Sequence, residues 1–194
     1  MKNISIVMCA IIIATFTAQA QEEKEHKPHD KVKKENEPAD IKTFDNINDS
    51  LKANIGNLLA DYYKIKDALV ATNKEAASQS AKAFRKTLES IDIKKMDAEQ
   101  NTFFISLKEK LDYDAEHIQS SPNIDHMREH FVTFSDNMWA VVKSFKANNG
   151  NNVYFDHCPM YNKGANWISS EAAIKNPYYG KQMLTCGKVT ETIK

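Results

Sequence analysis

The chain has 194 residues, 27% of them charged, and its 26 basic side chains balance 26 acidic ones. A neutral chain of this kind has no basic excess with which to hold nucleic acid or an anionic membrane surface, so neither is expected as a partner. What it offers instead begins with its first twenty residues.

Lys2 precedes an apolar run from Ile4 to Phe16, broken only by Ser5 and Thr15, and Ala18-Gln19-Ala20 supplies the small-x-small pattern of a signal-peptidase site. Residues 1–20 are therefore predicted to be a signal peptide cleaved after Ala20, and the product to be exported. Cys9 lies inside the apolar run, too early for a lipoprotein cleavage. No later apolar run approaches the roughly 20 residues needed to cross a bilayer. Residues 21–40 hold twelve charged side chains and two prolines, with Val32 and Ala39 as the only aliphatic residues. Such a segment buries too little apolar surface to offset its ordering entropy and is predicted to be a disordered charged tether, its His26 and His29 solvated.

Residues 41–194 suffice for one domain, divided into a helical bundle over 41–147 and a C-terminal lobe over 148–194. From Ile47, the positions Leu51, Ile55, Leu58, Tyr62, Ile65 and Leu69 recur at three- and four-residue spacing and predict a first helix of about six turns. Thr72 and Glu75 suggest a capping box for a second helix, which buries Ala76, Ala77, Ala81, Phe84, Leu88 and Ile91. Asp97 and Gln100 repeat that cap before Phe103, Phe104, Leu107, Leu111, Ala115 and Ile118. Ser121-Pro122 reads as N-cap and first position of a fourth helix, with Ile124, Met127, Phe131, Phe134, Met138, Val141 and Phe145 as its stripe and Trp139 beside it. The expected fold class is all-α: an up-and-down four-helix bundle with a small Cys/Met lobe containing a short hairpin.

Asn148-Asn149-Gly150-Asn151-Asn152 ends the helical pattern. Beyond it Val153, Phe155 and His157 alternate with Tyr154 and Asp156, predicting a strand that runs into Cys158. Ser169 or Ser170 is expected to cap a short helical turn reaching Ile174, and Pro177 to Gly180 has turn chemistry. An extended segment from Met183 to Ile193 is expected to pair with the first strand and bring Cys158 and Cys186 together at the base of the hairpin.

Each of those cysteines has a methionine nearby: Cys158-Pro159-Met160 and Met183-Leu184-Thr185-Cys186. Two thiolates and two thioethers suit a soft ion such as copper(I), which accepts both donors in low coordination number. His157 adds a possible imidazole, and Trp167 a cation-π face. A disulfide between Cys158 and Cys186 is the competing reading; in an exported protein it contributes roughly 3 to 4 kcal/mol through the unfolded state, and the methionines are then core fillers. His126-Met127-Arg128-Glu129-His130 matches the H-x-x-E-H pattern of inverted zinc peptidases, in which two histidines hold zinc and the glutamate activates water. The alternative for His126 and His130 is a second metal contact or a polar margin of the buried stripe. Lys94-Lys95 and Lys108-Glu109-Lys110 are solvated faces.

Cys158-Pro159-Met160, Trp167-Ile168-Ser169, Ile174, Asn176-Pro177-Tyr178-Tyr179-Gly180 and Met183-Leu184-x-Cys186-Gly187 together resemble the signature of domain of unknown function 3347. Asp67-Ala68-Leu69-Val70, Arg128-x-His130-Phe131 and Phe134-Ser135 are similar to it as well. The resemblance implies an exported bacterial protein, because similar segments occur at the C-terminus of periplasmic adaptor subunits of copper and silver efflux pumps. It implies no catalytic residues. The function expected is therefore non-enzymatic: a periplasmic copper(I) or silver binding protein acting as chaperone, buffer or accessory to metal efflux, with components of such a system as partners. A disulfide-stapled interaction module is the second expectation, and a zinc hydrolase using His126, Glu129 and His130 the third.

Overall fold

The computed structural model describes residues 41–194. The expected signal peptide, with Cys9, and the charged tether, with His26 and His29, lie outside the described residues. Helix α1 (Asp49–Val70) starts where the Asn48 side chain accepts the N–H groups of Ser50 and Leu51, at 3.0 and 3.4 Å. Its six stripe residues from Leu51 to Leu69 are all fully buried, as the spacing predicts.

Helix α2 (Lys74–Glu89) is capped by Asn73, whose side chain accepts the Ala76 N–H at 3.0 Å, and not by Thr72 as expected. Thr72 is used otherwise. It sits in the left-handed region at φ 55, where the chain folds back and the Asn73 N–H reaches the Ala68 carbonyl. A 3₁₀ turn over Ile93–Lys95 leads to α3 (Ala98–Ser120), which has the predicted capping box of Asp97 and Gln100. At α4 (Ile124–Ser144) the cap is again displaced, here from Ser121 to Asn123. The Ser121 hydroxyl is occupied in a turn, donating to the Asn123 carbonyl and accepting the Asn123 N–H. Consecutive helices pack on one another and α1 returns to α4, closing the four-helix arrangement. None of the described helices is long and apolar enough to cross a membrane.

The lobe corrects the all-α expectation. It carries a three-stranded antiparallel sheet, β1 (Val153–Cys158), β2 (Ala165–Ser169) and β3 (Lys188–Ile193), in the order β2-β1-β3. The expected pairing of the first and last segments is there, with Val153 opposite Ile193 and His157 opposite Lys188. What was not expected is β2, which pairs along β1 with Asp156 opposite Trp167 and Cys158 opposite Ala165. Trp167 and Ile168 are both fully buried, one on each face, so β2 shows no alternation of apolar and polar residues. The helical turn expected after Ser169 does not form either; its hydroxyl accepts the Glu171 N–H in a bend, and a 3₁₀ turn appears later, over Gly180–Gln182.

Several contacts join sheet and bundle. Phe155 stacks on Trp139 of α4 with centroids 4.5 Å apart. The Ile168 N–H donates to the Tyr62 hydroxyl at 3.0 Å, Tyr62 donates to Ser135 at 2.7 Å, and Ser135 to the Phe131 carbonyl at 2.7 Å. Every proton in this fully buried chain is used, and burial holds the Tyr62 phenol protonated far above its ordinary range. Bundle and lobe residues thus belong to one continuous core.

Candidate metal centre

The sheet register determines which side chains meet. Alternate residues of β1 point to opposite faces, so Asp156 and Cys158 share one face with Trp167 and Ala165, while Phe155 and His157 face α4. The loop after β2 covers the first of these faces. At its far end Cys186 comes to Cys158 with the sulfurs 3.6 Å apart, both as free thiols, Cys158 buried and Cys186 half-buried. The Cys186 thiol is pushed up, chiefly by its hydrogen bond with Cys158, then by lost solvent and by its electrostatic interaction with Cys158.

Asn176, met above only within the family string, is buried and positions the second thiol. Its side-chain amide donates to the Cys186 carbonyl at 2.7 Å, while its side-chain oxygen accepts the N–H groups of Tyr178 and Tyr179. Its backbone N–H donates to the Leu184 carbonyl at 2.8 Å. Gly187, next in the chain, has φ 144, and a Cβ built there would stand 2.7 Å from Cη2 of Trp167 and 3.0 Å from the His157 carbonyl oxygen. Trp167 is thus the floor on which the Cys186 turn rests.

Met160 and Met183 are 62% and 37% exposed, which removes the core-filler reading, since neither packs inside the protein. His157 lies on the opposite face from Cys158; its Nδ1 is 2.8 Å from the side-chain oxygen of Asn166, whose amide donates to Asp136. Among the described residues no three or more His, Cys, Asp or Glu side chains converge as a ligand set. A metal at the thiols therefore depends on thioether or outside ligands for its remaining positions.

Asp156 was read only as a strand residue, yet it is fully buried with both carboxylate oxygens lacking a hydrogen-bond partner. Burial raises its carboxyl from 3.8 to about 7, against the pull of the Lys66 charge and of the Trp167 indole N–H, which lies near without closing a bond of ordinary geometry. The folded protein then holds a proton that the unfolded chain loses above about pH 4, so this group's contribution to stability is greatest below that pH and declines towards pH 7. Asp156→Asn is expected to flatten that decline. Thermal unfolding at pH 5 and pH 8 should show a smaller drop in Tm for the variant than for the parent.

On α4, His126 and His130 bring their Nε2 atoms to 3.2 Å, while Glu129 between them is exposed. The Cys/Met lobe and this pair are separate features.

Residues 58–150 match the family model described as Protein of unknown function (DUF3347). This part of the chain belongs to that family. The match begins inside α1 and ends before β1, so it covers the bundle and stops short of both cysteines. No curated protein and no solved structure matches the chain.

Proposed function

We propose that the protein is an exported soft-metal carrier, which binds copper(I) or a similar ion at Cys158 and Cys186 and serves as a periplasmic chaperone, buffer or accessory to heavy-metal efflux. The observation that carries this reading is the 3.6 Å separation of two free thiols. One ion about 2.3 Å from each sulfur would sit between them at an angle of about 100°. Copper(I) is favoured over zinc by the exposed thioethers of Met160 and Met183, two and three residues along the chain from the thiols. No bond in a substrate needs to be made or broken; uptake releases the thiol protons, and release is by ligand exchange. The link to efflux rests on the resemblance of the C-terminal string to adaptor segments.

Anaerobic titration with copper(I) against a competing chelator tests the reading. The full chain is expected to take one equivalent, and Met160→Leu with Met183→Leu to weaken binding at least tenfold with Tm unchanged. Equal affinity in that variant would confine the site to the thiols. The same proximity supports a second reading, in which the thiols oxidise to a disulfide and the lobe is an interaction module without metal. A quantitative disulfide in mass spectra of the exported protein, together with no copper uptake after reduction, would establish it and overturn the first.

A further inference from the structure

We propose that the protein associates with itself head to tail, the turn that carries Met183 and Leu184 in one molecule entering a groove between α2 and α3 of the next. Among the described residues seven large apolar side chains are exposed, and five of them fall on these two surfaces. Ile105 and Tyr113 of α3, 38% and 44% exposed, line a groove of about 700 Å³ together with buried Leu88 and half-buried Ile93. Met160, Met183 and Leu184 stand out from the lobe. There the Tyr179 hydroxyl donates to the Met160 carbonyl at 3.1 Å and so ties the two methionine segments together.

The two surfaces carry opposite charge. In the groove Asp112 is neutralised by Arg85, whose Nε and Nη2 donate to its carboxylate at 2.8 and 3.2 Å. Glu89, Glu109 and Glu116 remain, all exposed and none in a direct ion pair, against the single ammonium of Lys108. On the lobe Lys163 and Lys181 flank the methionine segments and Lys188 follows Cys186 and Gly187; all three are exposed and none is in an ion pair. The one acid of that stretch, Glu171, is already held by Lys175 at 2.6 Å. The lobe packs on α1 and α4, whereas the groove lies between α2 and α3, so the two meet between molecules rather than within one. Lobe against lobe would set lysine against lysine, and groove against groove glutamate against glutamate, which favours the heterologous contact over a two-fold dimer. Surfaces this small make weak, salt-sensitive contacts, of the class below about 1,200 Å². The docked turn also covers Cys186, the half-open thiol two residues beyond Leu184, so each molecule shields the sulfurs of its neighbour whether or not they hold an ion.

The test is sedimentation velocity on the full chain from Gln21, metal-free and with its thiols kept reduced. The weight-average sedimentation coefficient is expected to rise between about 10 μM and about 1 mM protein, and to return to the monomer value at about 0.5 M salt. Glu109→Lys and Lys181→Glu, both at exposed positions, should each weaken association by about tenfold or more. An equimolar mixture of the two should restore it, because the untouched groove of one variant then meets the untouched lobe of the other. Reaction of Cys186 with a thiol reagent should slow about twofold where half the molecules are bound. A monomer at every concentration would overturn the proposal. So would association that survives either reversal, association lost through the groove variant alone, which would mean that a different segment enters the groove, or thiol reactivity indifferent to concentration.

Discussion

Arg128→Met is expected to destabilise the protein by about 3 to 5 kcal/mol, the cost of dismantling a buried charged hydrogen-bond network. Arg128 is 7% exposed and binds three separate parts of the chain. Its Nε donates to the Pro177 carbonyl at 3.0 Å, and Nη2 to the Thr72 hydroxyl at 3.0 Å and the Leu69 carbonyl at 3.3 Å. Nη1 meets Asp125 at 3.1 Å. The guanidinium thus ties the end of α1 and the turn before the Cys186 loop to α4, and it explains why Thr72 holds a left-handed conformation that costs a β-branched residue about 1 to 2 kcal/mol. Lysine, with one compact ammonium, cannot repeat this fork. Urea denaturation should therefore place Arg128→Lys nearer to Met than to the parent, and parental stability in either variant would refute the assignment.

Gly187→Ala is expected to cost about 2 to 4 kcal/mol and to spread the two sulfurs apart. The added carbon meets a buried indole on one side and a strand carbonyl on the other, neither able to yield, at a φ that side chains rarely adopt. Gly150→Ala is the control. Its φ is also positive, at 72, but a Cβ there meets nothing within 4 Å, so only the backbone preference of about 1 kcal/mol is lost. Comparing the two by thermal unfolding, and by the rate at which mild oxidant links the thiols, separates strain at the site from strain in general.

The helices were legible because burial on one face imposes a period, and the stripe residues of α1 and α4 are buried where that period puts them. Caps were less so. Asn73 and Asn123 outbid the neighbouring hydroxyls of Thr72 and Ser121, which tertiary structure had taken for a left-handed turn and a loop bond. Strand β2 was illegible for the opposite reason: covered on both faces, it has no period to read. At the sulfur site the cysteines and methionines announce themselves by type, whereas Asn176 and Gly187 act through a carbonyl and through an absent side chain. His126 and His130 were visible as a spacing, but Asp114, which lies 3.0 Å from Nδ1 of His130, is 16 residues away on another helix.

The two thiols also differ in compliance. Cys158 ends the central strand of the sheet, anchored opposite Ala165 and shut away from solvent. Cys186 hangs in a turn held by the Asn176 amide and by one backbone bond to Met183, and it is the half-open one of the pair. An incoming ligand would meet the more open sulfur, Cys186, first and the enclosed one, Cys158, last. If the pair carries an ion as proposed, exchange across it would be ordered in time, with Cys186 as the latch and Cys158 as the hinge.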